Sequence, residues 1–486
     1  MVGIVSYGGY IPRKRLSRMA VAQSMGWFAS GLMGAAKGER SMANWDEDCL
    51  TMAVAAGQDA LVGIDKAKMD GVYMASTTFP FMDRDNAGVV KCALNLKDDI
   101  LTADFASSQK AGPTALMTAL EAVKGGDRHN ILVAASDKRI TKAASNEEMQ
   151  FGHGAGAMVV GDENIIAEYL GGYTTSLDFV DHYRGEGAKF DYNWEQRWVR
   201  DEGFSKIYPE VFEGVLKKTG VEIGDVSKMI FPCIFDRIQA KLGASVGAKP
   251  EQLADLLHGE VGECGTAHAL IMLAKELETA NPGDILMVAG IGQGAAAMMF
   301  RVTDNIKSLA PRAGVSGCLA NKSEEDSYTK WLQYNGLIQT DMGGRGDTDN
   351  RTGLSSLYRN RKFILGFVGG KCKECGTPQL PPKRICVKPG CGAVDSLEDY
   401  EFANIPAKIV TFTADNLAAS LDPPAIYGMI QFEGGGRILT DFTDCALDDI
   451  EVGVAMKMTF RKTYQDDKRG FTGYFWKATL DNTAGK

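Results

Sequence analysis

No run of apolar residues in this chain approaches 18, so nothing in it predicts a membrane-spanning helix. Its opening stretch, MVGIVSYGGYIPRKRL, lacks the charged-then-apolar order of a secretory signal. A surplus of positive charge is also missing: 53 Lys and Arg stand against 62 Asp and Glu, a net charge of −9. That balance argues against nucleic acid as a partner, although a local basic patch can still receive an anion. Nor is there a disulfide framework, because four of the ten cysteines crowd into one stretch and the other six are scattered. Without an export signal, that usage favours reduced thiols and a metal. These absences predict a cytoplasmic protein with no membrane and no nucleic-acid partner.

What is present points to layered α/β structure. At 486 residues the chain exceeds the roughly 250–300 at which one core stops growing, so more than one domain is expected. ALMTALEAVKGGDRHNILVAASD (115–137) and ALIMLAKELETANPGDILMVAGI (269–291) share one layout. Each is an apolar helix pattern, a Gly or Pro-Gly-Asp stop, and a short run ending in small residues. A helix feeding a near-continuous apolar strand marks a strand buried on both faces. Each unit follows a glycine-containing loop, SSQKAGPT or GECGTAH, which suggests a duplicated fold with a site between its halves.

Residues 301–327 carry a strand end, then Pro, Gly and charges, and read as a linker. Beyond DMGGRGDTDNRTGLSS, period-2 runs such as AKIVTFTA and TGYFWKATL alternate with glycine clusters, the pattern of a small all-β barrel. Between them, Cys372, Cys375, Cys386 and Cys391 form C-x2-C and C-x4-C pairs ten residues apart. Two such pairs can each span one edge of a tetrahedron. Four sulfurs leave no open position, which makes a structural Zn2+ the expected ligand, with rubredoxin-like iron the alternative.

With SMANWDEDCLTMAVAA (41–56), FDYNWEQRWVRDEGF (190–204) after DHYR, and NPGDILMVAGIGQGAAAMMF (281–300), residues 1–303 resemble the 3-hydroxy-3-methylglutaryl-CoA synthase branch of the thiolase superfamily. The stretch YRNRKFILGFVGGKCKECGTPQLPPKRICVKPGCG resembles the zinc-ribbon OB-fold proteins that accompany thiolase-like enzymes. The expected architecture is a duplicated thiolase-like α/β domain (1–303), a linker with a helical segment (304–354), a zinc ribbon (355–400) and an OB barrel (401–486).

The resemblance implies an acyl-CoA thioester as substrate, a homodimer or a complex with a thiolase, and a site of cysteine, glutamate, histidine and asparagine. This chain departs at all four positions. The cysteine falls on Gln109, or on Ser108 if the two extra residues of FASSQKAG are placed differently. The glutamate falls on Thr77, the histidine on Pro232 and the asparagine on Glu263. Covalent acyl transfer needs an activated nucleophile, and a serine needs an adjacent base.

Other residues offer substitutes. A helix starting near Lys110 would aim N–H groups at the loop whichever side chain stands there. Glu263 and His268, with Cys264 between, could supply a base and an acid; alternatively His268 opens its helix and caps or packs there. His153 is expected to pack against glycines, and Cys233 to act as a small buried apolar group. Tyr183, Tyr192 and Trp194 line the acyl pocket by resemblance, with core packing as the alternative. Arg237 and Lys241 are candidates for CoA phosphates, or form a solvated helix face. Three readings stay open: carbon–carbon bond chemistry without the cysteine, a non-thiolytic retro-aldolase, and a catalytically silent subunit that binds a thiolase and channels acyl-CoA.

Overall fold

The computed structural model describes residues 1–347 and 353–481. Residues 348–352 of the expected linker and 482–486 of the expected barrel lie outside the described residues. The chain divides into two compact units: residues 1–43, 48–88 and 97–332 form the first, and 44–47, 89–96 and 333–486 the second.

The first unit is built on a nine-stranded sheet. Its first half contributes β1 (Gly3–Tyr10), helix α1 (Cys49–Ala60), β2 (Gly71–Ala75), β3 (Leu101–Phe105), helix α2 (Ala111–Lys124), β4 (Asn130–Asp137) and β5 (Gly154–Gly161). Its second half contributes β6 (Ala167–Ser176), helix α3 (Ser205–Thr219), β7 (Lys228–Ile230), helix α4 (Asp236–Ser245), helix α5 (His268–Leu277), β8 (Ile285–Ile291) and β9 (Gly294–Val302). The strand order is β7-β8-β9-β6-β1-β5-β4-β2-β3.

Read outward from the centre, the two halves repeat one another. β1 pairs antiparallel with β5, β5 antiparallel with β4, and β4 parallel with β2. In the same sequence β6 pairs antiparallel with β9, β9 antiparallel with β8, and β8 parallel with β7. The duplication expected from residues 115–137 and 269–291 is therefore present, with β3 an addition to the first half. Strands β4 and β8 read as continuous apolar runs because helices cover both their faces, and both are buried along almost their whole length. The equivalent helices α2 and α5 pack on one another and on strands of both halves, so the start of each lies at the middle of the unit.

The expected linker is corrected by the structure. Residues 304–332 belong to the first unit: Ser323–Glu325 pairs in parallel with Lys14–Leu16, and Trp331 is wholly buried. Arg312 donates to Ser6 Oγ (2.5 Å) and to the carbonyl of Tyr7 (2.6 Å), tying the segment to β1. Its Pro, Gly and charges look like a linker because these anchors are single residues without periodicity.

The second unit holds two sheets. A three-stranded one joins β10 (Val368–Cys372), β11 (Pro378–Gln379) and β12 (Leu397–Glu401) in the order β11-β10-β12. A five-stranded one takes β13 (Ala407–Asp415), β14 (Ala425–Phe432), β15 (Arg437–Asp441), β16 (Ala455–Asp466) and β17 (Phe471–Leu480) in the order β15-β14-β13-β16-β17. A bridge between Phe442 and Ala478 draws its two edges together into a barrel. Phe367, Phe402, Phe432 and Trp476 fill the interior, and the Trp476 indole N–H is satisfied by the carbonyl of Leu365 at 2.6 Å. Residues 355–364, expected within the ribbon, are two short helices instead.

Candidate functional site

The loop DFASSQKAGPT ends β3 and opens α2, as its sequence suggests. Ser107 sits at φ 67°, a left-handed conformation that a non-glycine residue holds only where its surroundings impose it. Ser108 Oγ donates to the carbonyl of Gly292 (2.8 Å), and Lys110 Nζ donates to the carbonyls of Thr175 (3.2 Å) and Gln293 (3.1 Å). The second half of the unit thus clamps the loop of the first. Gly292 permits the approach: a Cβ there would lie 2.7 Å from the amide nitrogen of Lys110 and 2.9 Å from that of Gln109.

Gln109 projects into a pocket whose lining mixes polar residues with apolar ones, among them Phe151, Trp194, Phe204 and Phe235. Its Nε2 lies 3.4 Å from Thr77 Oγ1 and 3.4 Å from His182 Nε2. The other ring nitrogen of His182 is 3.0 Å from Asp181 Oδ2. A neutral ring that donates from Nδ1 to this carboxylate presents the Nε2 lone pair to Gln109, the arrangement a general base needs.

Asp137, at the end of β4, organises the floor. One carboxylate oxygen accepts from Ser76 Oγ (2.9 Å), Thr77 N–H (2.8 Å) and Thr78 Oγ1 (3.0 Å). The other accepts from Thr77 Oγ1 (3.1 Å) and from Thr266 N–H (2.9 Å) and Oγ1 (3.0 Å). Six bonds on one buried carboxylate join the loop after β2 to the loop before α5. Gly265, at φ +60°, lies against it, where a Cβ would collide with Asp137 and stand 2.9 Å from Gln109 Oε1.

A charged group forms one wall. Arg139 donates through its terminal nitrogens to Asp191 Oδ2 (2.9 Å) and Glu263 Oε2 (3.2 Å), and its guanidinium stacks 3.7 Å from the Phe151 ring centroid. Burial pulls the Arg139 guanidinium down, but Asp191 and Glu263 outweigh it and hold it above its ordinary value. For Asp191 burial pushes upward, and Arg139 and Arg184 carry it below the usual carboxylate range.

Of the residues expected to carry chemistry, the structure brings Gln109 and Glu263 to the pocket, with Thr77 and Pro232 beside them. Ser108 is turned to Gly292. His268 is not at the pocket: it is wholly buried as the first residue of α5, with the Cys264 N–H on Nδ1 (3.2 Å) and the Leu256 carbonyl on Nε2 (2.9 Å). Burial lowers its pKa to about 4, so it stays neutral. Cys264 is buried with its thiol on the carbonyl of Gly262, and burial raises its pKa well above the ordinary value. His153 is buried between the Ala43 N–H and the Arg139 carbonyl and stacks on Trp331. Cys233 is buried. Tyr183 and Tyr192 face each other at 5.4 Å, largely exposed, and Trp194 lines the pocket. Arg237 and Lys241 are exposed on α4, the helix that follows Phe235. Sequence reasoning missed His182, Asp181, Arg139 and Asp137. A histidine directly after an aspartate in DHYR was the one available signal.

In the second unit the four sulfurs of Cys372, Cys375, Cys386 and Cys391 lie within 4.8 Å of one another. Separations of 3.9 Å (Cys372–Cys391) and 3.5 Å (Cys375–Cys386) are far longer than a disulfide. A tetrahedral zinc with bonds of about 2.3 Å holds its sulfurs roughly 3.8 Å apart, so the set fits such an ion. Among the described residues no helix is long and apolar enough to cross a membrane.

A family model described as the C-terminal OB-fold domain of ChsH2 matches residues 401–461. Hydroxymethylglutaryl-CoA synthase of Methanosarcina mazei is 26% identical over 348 residues, 70% of this chain and 99% of that protein. The protein of the same name from Methanopyrus kandleri is 28% identical over 344 residues, 68% of this chain and 96% of its own length. The crystal structure of an HMG-CoA synthase complexed with CoA has the same fold, with a TM-score of 0.62 at 18% identity over 72% of this chain and 94% of that one. Some 70% of the chain is thus similar in sequence to hydroxymethylglutaryl-CoA synthases and shares the fold of one, and residues 401–461 match the C-terminal OB-fold domain of ChsH2.

Proposed function

We propose that the pocket receives the acyl end of a 3-oxo- or 3-hydroxyacyl-CoA and that the chain makes or breaks a carbon–carbon bond there without an acyl-enzyme. The similarity to hydroxymethylglutaryl-CoA synthases, and to one solved with CoA, supports the thioester as substrate. The observation that carries the reading is Gln109: a carboxamide stands at the head of α2, 3.4 Å from a histidine backed by an aspartate. A carboxamide is no nucleophile, but it donates a hydrogen bond.

These groups suit a retro-aldol cleavage. His182 Nε2 takes the proton of the 3-hydroxyl, whose oxygen electrons form the new carbonyl. The bond between carbons 2 and 3 breaks, and its electron pair passes to carbon 2 as the enolate of the shortened acyl-CoA. The Gln109 amide and the N–H groups at the head of α2 hold the thioester oxygen as charge builds on it. The imidazolium returns its proton to carbon 2, leaving an aldehyde or ketone and a shortened acyl-CoA. The reverse is an aldol addition.

Arg237 and Lys241, two and six residues beyond pocket-lining Phe235, would take the CoA phosphates. The four-cysteine cluster would hold a structural zinc. The chain would work as a homodimer or beside a thiolase. Burial of Cys233 and Cys264 favours a second reading, in which a partner thiolase supplies the thiolate and this chain hands it the substrate.

The test is to incubate the purified chain with 3-hydroxyacyl-CoA and follow carbonyl product and shortened acyl-CoA by mass spectrometry, alone and with a thiolase. Turnover by the chain alone that falls by about 10²–10⁴ in His182→Ala supports the lyase. Turnover only in the mixture supports the partner reading. A denaturation-stable acyl group on the polypeptide would overturn both.

A further inference from the structure

Arg139 is the obvious receptor for a carboxylate on the distal end of an acyl group, yet it is already taken. Among the described residues lining the pocket it is the one permanently charged cation, against the carboxylates of Glu147, Asp181 and Glu263. Its side chain is 5% exposed, and Asp191 and Glu263, each 8% exposed, flank it on two sides. One face of the guanidinium is covered by Phe151. Asp191 is in turn shared with Arg184, whose other terminal nitrogen donates to the carbonyl of Thr77. A substrate carboxylate entering here would lose its water, find no free donor of positive charge, and face carboxylates instead.

We infer that the site selects uncharged acyl groups and rejects acyl-CoAs carrying a distal carboxylate, and that Glu263 sets this rule by occupying Arg139. The inference rests on the acyl-CoA reading and narrows its substrate class. Discrimination comes from the repulsive element as much as from the apolar wall. Glu263 is also well suited to reversal. Its Oε1 accepts the Gly265 N–H at 3.0 Å, a bond that a glutamine oxygen can keep while the negative charge is removed.

The experiment compares hexanoyl-CoA with adipoyl-CoA, equal in chain length and different by one carboxylate, by titration calorimetry on the full chain. Wild type is expected to bind the uncharged ester at least about tenfold more tightly, and Glu263→Gln to narrow that ratio by at least about tenfold. Asp191→Asn, which frees Arg139 from its other side, should move the ratio in the same direction and serves if Glu263→Gln does not fold. Equal affinity of wild type for both esters overturns the inference, as does an unchanged ratio in folded variants. If neither ester binds, hexanamide and hexanoate are compared by saturation-transfer NMR. Entry of the amide alone upholds the charge rule while the CoA reading falls, and entry of both sinks the rule by itself.

Discussion

Gln109 holds its carboxamide nitrogen 3.4 Å from His182 Nε2, at the head of a buried helix and above a carboxylate that accepts six hydrogen bonds. Two groups that would activate a thiol at this position are in place, the head of α2 and His182. A helix N-terminus and a neighbouring histidine both lower a thiol's pKa. Gln109→Cys is therefore expected to gain a reactivity the wild type lacks. Intact-mass measurement after incubation with acyl-CoA should show one added acyl group on the variant and none on the wild type, and His182→Ala in the same background should slow the labelling. A folded Gln109→Cys protein labelled equally fast with and without His182 would mean that His182 does not serve position 109.

Gly265 should tolerate no side chain. Its φ of +60° disfavours one, and a Cβ would push into Asp137 and toward Gln109 Oε1. Gly265→Ala is expected to cost about 1–3 kcal/mol in denaturant unfolding and to weaken acyl-CoA binding, since the shift falls on the two groups that shape the pocket floor. Gly126, at φ +89° with nothing near its Cβ, is the control: its alanine variant should be strained without touching binding.

His268 gives a pH prediction. Burial first of all, against the opposing pull of Glu263, lowers its pKa to about 4, whereas the unfolded chain titrates it near 6.5. Between those values the unfolded state binds the extra proton, so stability rises with pH across the window and is fully present above it. The contribution is at most about 3.5 kcal/mol, taking roughly 1.4 kcal/mol for each pH unit. Thermal melts of wild type and His268→Gln from pH 4 to 7 should differ in slope, with the wild type steeper.

How far the sequence reaches is set by distance along the chain. The paired halves are legible because a strand covered on both faces must be apolar throughout, and such runs survive in β4 and β8 whatever the loops do. The four cysteines are legible because their partners are near neighbours. Arg139 is not, since its two carboxylates stand 52 and 124 residues away, one in an aromatic loop and the other before α5. Glu263 looks like a free acid in sequence, and only its bond to Arg139 reveals a group already neutralised. His268 misleads in the same way, as its polar partners are backbone atoms that no residue type announces. The linker from 304 fails for want of periodicity, although Trp331 and Arg312 anchor it.

The four-cysteine cluster should carry one zinc per chain. Sulfurs 3.5–3.9 Å apart fit a tetrahedral ion, and a three-stranded sheet with strands as short as Pro378–Gln379 has little core of its own. Structural zinc in small domains is worth about 10–16 kcal/mol of folding free energy. Elemental analysis should find zinc near unit stoichiometry. Cys375→Ser or a strong chelator should remove it and expose residues 368–401 to proteolysis. A coloured protein holding iron would replace the metal without altering the argument about the fold.

Asp46 offers the sharpest test of the second unit. It is wholly buried, and its Oδ2 accepts from Lys477 Nζ (3.0 Å) and Thr443 Oγ1 (3.0 Å). Arg461 Nε lies 3.6 Å from the other oxygen, and that guanidinium also reaches Asp444 and Glu47. Burial pushes the Asp46 carboxyl upward, yet Lys477 and Arg461 carry it below its ordinary value. A depressed folded pKa means that its stabilisation is present at neutral pH and is lost as pH falls below about 4, where the unfolded chain takes up the proton first. Asp46→Asn keeps the shape and removes the charge, leaving buried Lys477 without its carboxylate while Arg461 keeps Asp444 and Glu47. It should destabilise the protein by about 3–5 kcal/mol, the cost of breaking a buried pair from one side. Because the asparagine does not titrate, the variant should also lose part of the acid sensitivity of the wild type, read as a smaller fall in midpoint between neutral pH and pH 3. Equal stability of the two proteins at neutral pH would show that water reaches Lys477 and Arg461 and screens them.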